Sequence, residues 1–151
     1  MYNKQGYNKY GDNRGRAPYG QRNMTPPAPI EPLPIPADFL EQAEKLMQTQ
    51  SAGITTNKIR RLYSLVTEVY NEERLRTEEE LSEESVDAVG MMRVRMAYEC
   101  GRDEKVKSFV QAAKLLEYLK GIGNKRENFL HFTQYMEALV AYHRFFGGRE
   151  N

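Results

Sequence analysis

The last stretch of the chain constrains the fold most, because from Asn128 to Gly148 apolar residues recur at the spacing of one helix face. The residues of that face are Phe129, Phe132, Met136, Leu139, Val140, His143 and Phe146. Tyr135 and Tyr142 lie at its edge, where their rings can pack while their hydroxyls reach water or a partner. An aromatic-rich face of this kind needs other helices to cover it, so the stretch predicts a helical bundle.

Four earlier segments carry helical periodicity and supply the covering helices. We predict these helices at about 38–50, 57–71, 85–100 and 104–120. Thr55 or Thr56 is expected to cap the second helix, and Asp103 the fourth. The expected fold class is therefore all-α, a single bundle of about five helices over residues 37–148.

Two features of the middle of the chain leave alternatives open. Residues 72–87 carry eight acids against two arginines and are predicted to form a solvated connection or an exposed helical extension. In the third helix, Gly90 interrupts the pattern and Arg93 falls among the apolar positions. Either that helix begins after Gly90, or Arg93 pairs with an acid in the assembled protein.

Residues 1–36 are predicted to lie outside the bundle as a disordered tail and spacer. Residues 1–23 are rich in Asn, Gln, Tyr and Arg, and they have too few aliphatic side chains to form a core. Six of the seven prolines lie within 26–36 and indicate a stiff spacer. Five basic residues against two acids, interleaved with tyrosines, suit weak contact with single-stranded nucleic acid, and a solvated tail is the alternative.

The sequence offers little for catalysis. It has no HExxH, CxxC, GxSxG or glycine-rich phosphate loop, so we expect no catalytic residues, no metal, no cofactor and no enzyme activity. The alternative, a metal-dependent hydrolase that uses the acidic stretch, requires bound metal. His143 and Cys100 are expected in the core, and a single cysteine fits a reducing compartment. No membrane-spanning or secretory segment is recognisable, so a cytoplasmic location without membrane contact is expected.

Basic residues form the candidate binding positions, although the net charge is only +1. Residues 93–126 carry nine basic residues against four acids, which indicates a polarised surface. Three further cations open the second helix, where the helix dipole disfavours positive charge and where a functional reason is expected. The candidate nucleic-acid-binding residues are Lys58, Arg60, Arg61, Arg95, Arg102, Lys105 and Lys107. Because nothing here is suited to reading base edges, we expect contacts to phosphates without sequence preference.

The fourth predicted helix has a second apolar sector, made by Ala112, Leu115 and Leu119. A helix that is apolar on two sides is either central in the fold or presents an intermolecular surface. The candidate protein interface is placed at these three residues. A competing hypothesis for the whole chain is a helical protein–protein adaptor that self-associates without nucleic acid.

Three segments, Ile54–Asn71, Val94–Val110 and Phe129–Gly148, resemble in order and spacing the small helical subunit of the Csm effector complex, the type III-A CRISPR ribonucleoprotein. The most specific piece is the closing pattern of Phe132, Tyr135, Glu137, Ala138, Ala141, Tyr142, Gly147 and Gly148. The tail and the proline-rich spacer fall outside the resemblance.

The resemblance implies a non-catalytic structural subunit that stacks in several copies along the filament of the complex in antiviral defence. There it would contact the crRNA–target RNA backbone, other Csm subunits and further copies of itself. The basic positions of the family map to the seven cations that the charge distribution selects. The resemblance also implies that target cleavage, DNA cleavage and signal synthesis belong to other subunits of the complex.

Overall fold

Helices make up almost all regular structure in residues 28–150, the part of the chain that this computed structural model describes, so the all-α prediction is confirmed. The α-helices of that range are α1 (Phe39–Gln50), α2 (Thr56–Glu73), α3 (Glu83–Arg102), α4 (Glu104–Ala113), α5 (Leu115–Gly121) and α6 (Arg126–Phe145). A short 3₁₀ turn, Ser51–Gly53, joins α1 to α2. Residues 1–27 of the tail and spacer predicted over residues 1–36 lie outside the described residues.

The closing helix, α6, is the centre of the fold. It packs mainly against α1 and α2, while α3 packs against α2, α4 and α5. The face predicted from the sequence is buried at Phe129, Phe132, Met136, Leu139 and His143. None of the helices within residues 28–150 has both the length and the apolar character needed to cross a bilayer.

The predicted fourth helix is broken into α4 and α5 at Lys114, whose backbone is left-handed (φ 56°, ψ 37°). The break changes the direction of the following turn, so Leu115 and Leu119 point into the core with exposed fractions of 0% and 1%. Ala112 remains exposed on α4. The prediction of an interface is therefore corrected at both leucines, because they belong to the core of this chain and offer no surface to a partner.

Helix α3 also departs from one alternative that its sequence suggested, a start after Gly90. It begins at Glu83, capped by the Ser82 hydroxyl, which accepts a hydrogen bond from the Ser85 backbone N–H (3.1 Å). The helix continues through Gly90 without interruption. Arg93 is half-buried at the edge of the packed face and has no carboxylate partner within residues 28–150. The prediction that the helix begins after Gly90 is therefore wrong. The pairing of Arg93 with an acid in the assembled protein stays a prediction, and within this chain the edge of the packed face leaves room for the long side chain to reach solvent.

One carboxylate of the acidic connection is buried, contrary to a fully solvated stretch. Glu73 has an exposed fraction of 0% and accepts hydrogen bonds from Arg76 (3.0 Å) and from the backbone and side chain of Ser82 (both 3.2 Å). Arg126 donates to its backbone carbonyl at 2.8 and 3.0 Å. Burial alone would raise the pKa of Glu73, but hydrogen bonds from Ser85, Ser82 and Arg76 outweigh it and lower the pKa below 4.5.

The described part of the proline-rich spacer is attached to the fold. The Leu33 backbone N–H donates to the Glu117 carbonyl of α5 (3.1 Å), and the Lys120 ammonium donates to the Ile30 carbonyl (2.8 Å). Leu33 and Ile35 pack against the core as half-buried side chains. These contacts hold residues 30–35 along α5, ahead of the boundary at residue 37 that composition indicated.

Candidate nucleic-acid interface

The start of α2 and the start of α4 lie next to each other, and each is capped by a side chain. The Thr55 hydroxyl accepts a hydrogen bond from the Lys58 backbone N–H (3.3 Å), which confirms Thr55 as the cap of α2. The Asp103 carboxylate accepts hydrogen bonds from the backbone N–H groups of Lys105 (2.9 Å) and Val106 (3.4 Å), as predicted. The same carboxylate lies 2.6 Å from the Lys58 ammonium and joins the two helix starts.

Three of the predicted cations meet two carboxylates in one cluster, which we call the basic corner: Lys58, Arg61, Arg102, Glu99 and Asp103. The Glu99 carboxylate lies between the two arginines, 3.6 Å from Arg61 and 3.8 Å from Arg102. A hydrogen bond from Lys58, more than any other cause, lowers the pKa of Asp103. The corner therefore holds three positive charges against two negative ones.

The two arginines of the basic corner differ from its lysine in how firmly they are held. Lys58 makes a short ion pair with the capping carboxylate, so its charge is largely compensated within the chain. Arg61 and Arg102 share one carboxylate at distances longer than a hydrogen bond, and their side chains are 56% and 54% exposed. The shared Glu99 carboxylate is only 17% exposed, but the arginine ends of both pairs are open to solvent. Ion pairs at the surface are worth only about 0–1 kcal/mol, so a phosphate can compete for these guanidinium groups.

The other four predicted cations are exposed, and they differ in how close they lie to the basic corner. Lys105 lies two residues after the Asp103 cap, and Arg95 lies two helical turns before Arg102 on the same side of α3. Lys107 lies on α4, where its charge acts on the Cys100 thiol. Arg60 lies on another flank of α2 and is not brought into the corner. Within residues 28–150 none of these four cations has an ion-pair partner.

Sequence reasoning missed two residues of this surface. Glu99 was not recognised as the carboxylate that the two arginines share, because the contact joins α2 to α3 and has no local sequence signal. Tyr98 lies beside it, 65% exposed, with the Arg102 guanidinium 5.8 Å from the centre of its ring. The spacing of four residues between Tyr98 and Arg102 on one helix was the signal that could have found this pair.

His143 and Cys100 lie in the core, as the sequence predicted. His143 is fully buried, and its Nε2 lies 2.6 Å from the Ile54 carbonyl oxygen, so Nε2 donates a hydrogen bond to that carbonyl. Cys100 is buried, and burial raises the pKa of its thiol. Within residues 28–150 no group of three or more His, Cys, Asp or Glu side chains is arranged to hold a metal ion.

Fold and surface together define a small all-α protein whose distinctive exterior feature is a cationic corner between helix ends. The chain belongs to the Csm2 family of type III-A, because the family model matches residues 35–149. The family resemblance of the three segments is thereby confirmed. The matched range begins within the proline-rich spacer and includes the contact of Ile35 with the core.

Individual relatives agree with the family assignment, and each is named CRISPR system Cms protein Csm2. The relative from Mycobacterium tuberculosis (strain CDC 1551 / Oshkosh) is 37% identical over 115 residues, covering 74% of this chain and 93% of the relative. The one from Streptococcus thermophilus is 38% identical over 116 residues, with coverages of 75% and 92%. The one from Enterococcus italicus is 35% identical over 97 residues, with coverages of 62% and 69%.

Proposed function

We propose that this chain is a non-catalytic, RNA-binding structural subunit of a cytoplasmic type III-A CRISPR ribonucleoprotein in antiviral defence. In that complex it contacts the backbone of the crRNA and its target RNA, other Csm subunits and further copies of itself. Family membership supports the assignment to the complex. The match to relatives named as CRISPR system proteins supports it as well.

The observation that carries the RNA-binding proposal is the pair of half-exposed arginines at the basic corner. Arg61 and Arg102 come from different helices and converge on one carboxylate, Glu99. A phosphate offers oxygens to the same donors that now face this carboxylate, and guanidinium groups bind phosphate oxygens in a planar, bidentate geometry. The corner thus presents two oriented guanidinium groups with one net positive charge, while Lys105 and Arg95 extend the positive surface on either side.

Phosphate binding of this kind releases cations from the RNA and makes affinity fall as salt concentration rises. We expect the variant Arg60→Ala/Arg61→Ala/Arg102→Ala, in the assembled complex, to bind RNA about ten-fold or more weakly than the wild type at low salt. The slope of log affinity against log salt should become shallower by about 0.7 for each lost contact to single-stranded RNA. Binding of labelled RNA measured at several salt concentrations gives both quantities.

The matched control removes three exposed cations from other parts of the surface: Lys45→Ala, Arg74→Ala and Lys125→Ala. It changes the net charge equally, so a loss caused by total charge alone would appear in both variants. Incorporation of each variant into the complex is checked by gel filtration before binding is measured. Unchanged affinity and slope in the arginine variant would show that these arginines serve solvation only.

A further inference from the structure

Helix α3 carries a line of large apolar side chains on its outer face. Met91, Val94 and Tyr98 are 51%, 58% and 65% exposed. Their spacing of three and four residues places them on one side of the helix, opposite the buried Met92 and Met96. Nothing in the described part of the chain covers this line. Exposed large apolar side chains in a row mark a contact surface more often than isolated ones do.

The ends of this line have opposite charge. Glu83, Glu84 and Asp87 lie in the first turns of α3, whereas Arg95 and Arg102 flank its C-terminal half. An anionic ligand is therefore repelled from the start of the helix and attracted to the half that contains Tyr98. On this face of α3 the distribution of charge therefore favours a nucleic-acid ligand near one aromatic ring, that of Tyr98.

Tyr98 is itself connected to the phosphate-binding groups. The Arg102 guanidinium lies 5.8 Å from its ring centre, and the side chain of Arg102 also belongs to the basic corner. The Arg102 guanidinium lies over one face of this 65% exposed ring, which leaves the other face for a base. Such a ring has the features of a step in a single-strand binding groove, where a base stacks on an aromatic side chain and the neighbouring phosphate meets a cation. Every base has a π face, so such a step tolerates any sequence.

We propose that Tyr98 is a stacking site for an unpaired nucleobase of RNA, with Arg102 and Arg61 binding the adjacent phosphate. The inference rests on the proposed function, because it assigns a base contact next to the phosphate contacts of the basic corner. It distinguishes single-stranded from duplex RNA, since only an unpaired base is free to leave its neighbours and stack on the protein.

The test compares two substitutions that keep a large side chain at this position. Tyr98→Phe retains the ring, whereas Tyr98→Leu retains apolar bulk but has no aromatic face. Phe145→Leu is the matched control, because Phe145 is a 77% exposed aromatic side chain on a different helix, α6. The full chain of each variant is titrated into a labelled single-stranded RNA oligonucleotide and into the corresponding duplex, at several salt concentrations.

We expect Tyr98→Leu to bind single-stranded RNA about five-fold or more weakly, with an unchanged salt slope because no charge is removed. Tyr98→Phe and the Phe145 control should bind like the wild type, and duplex affinity should change little in all three variants. Equal single-strand affinity in wild type and Tyr98→Leu would overturn the stacking site and leave the phosphate contacts intact. A shallower salt slope in Tyr98→Leu would also overturn it, because the ring would then act only by holding Arg102.

Two other results would likewise decide against the inference. If Tyr98→Leu binds RNA normally but changes the oligomeric state or the recovery of partner subunits, the apolar line is a protein interface. The wild-type chain could bind neither single-stranded nor duplex RNA, while the assembled complex binds RNA equally well without the arginines of the basic corner. In that case the proposed function fails together with the stacking site.

Discussion

Gly148 packs directly against the imidazole of buried His143 and so determines how the end of the chain meets α2. Its backbone N–H donates to the His143 carbonyl (2.8 Å), and the Arg149 carbonyl accepts from the Thr56 backbone N–H (2.6 Å). The histidine in turn donates to the Ile54 carbonyl (2.6 Å). These contacts connect the end of the chain to the first turn of the helix that carries the arginines and lysine of the basic corner.

A side chain at residue 148 has no room, because a Cβ atom there would overlap the His143 ring. We expect Gly148→Ala to lower the free energy of unfolding by about 1–3 kcal/mol through overpacking. Gly90→Ala is the control, since a Cβ in α3 at that position meets nothing within 4 Å. In a helix interior that control should raise stability by about 0.5–1 kcal/mol. Urea unfolding followed by circular dichroism measures both, and equal effects of one sign would contradict the steric explanation.

At the scale of elements, the break between α4 and α5 depends on a distant side chain. The left-handed backbone at Lys114 interrupts the helical hydrogen bonds, and the Tyr135 hydroxyl of α6 donates to the freed carbonyl of Ala113 (2.9 Å). Burial raises the pKa of Tyr135, so its hydroxyl stays protonated and able to donate. Sequence reasoning predicted one continuous helix, because neither Gly nor Pro marks the break and its partner lies on another helix.

Removing the Tyr135 hydroxyl should therefore weaken the junction of α4 and α5. We expect Tyr135→Phe to lower the free energy of unfolding by about 1–3 kcal/mol, because the Ala113 carbonyl is left without a partner in a buried place. Tyr142→Phe is the control on the same helix, since the Tyr142 side chain is half-buried and its hydroxyl has no hydrogen-bond partner within residues 28–150. Chemical denaturation measures the difference, and similar losses in the two variants would rule out a specific role for the Ala113 bond.

For the molecule as a whole, the sequence predicts well those features that depend on residues close together along the chain. The helical periodicity, the caps at Thr55 and Asp103 and the buried face of α6 all follow local rules, and the structure contains them. Pairings between elements do not follow such rules. The contact of Lys58 with Asp103, the sharing of Glu99 and the position of Arg60 away from the basic corner depend on how helices meet. The sequence therefore predicted candidate cations but not which of them assemble.

The contacts of the buried Glu73 are another connection between elements that the sequence did not predict. They join α2 to the start of α3 and to α6. Its pKa in the folded chain lies below 4.5, its ordinary value, so the unfolded chain binds the proton more readily. The stabilisation by the ionised carboxylate is therefore complete well above pH 4.5 and is lost as the pH falls through the folded-state pKa. Acid should separate α2, α3 and α6 before it affects contacts that involve no buried charge.

Glu73→Gln tests this dependence, because the amide cannot carry the charge that faces Arg76. At pH 7 we expect the variant to be less stable than the wild type by about 1–3 kcal/mol, the range for lost hydrogen bonds to a charged group. The difference should shrink as the pH falls through the folded-state pKa of Glu73, which lies below 4.5. Glu78→Gln is the control, since that carboxylate also faces Arg76, at 3.5 Å, but is 63% exposed, and its loss should matter far less. Urea unfolding at a series of pH values from 7 down to 3 measures the differences, because the loss is expected below pH 4.5. A Glu73→Gln deficit that stays constant with pH would mean that shape, and not charge, makes this carboxylate important.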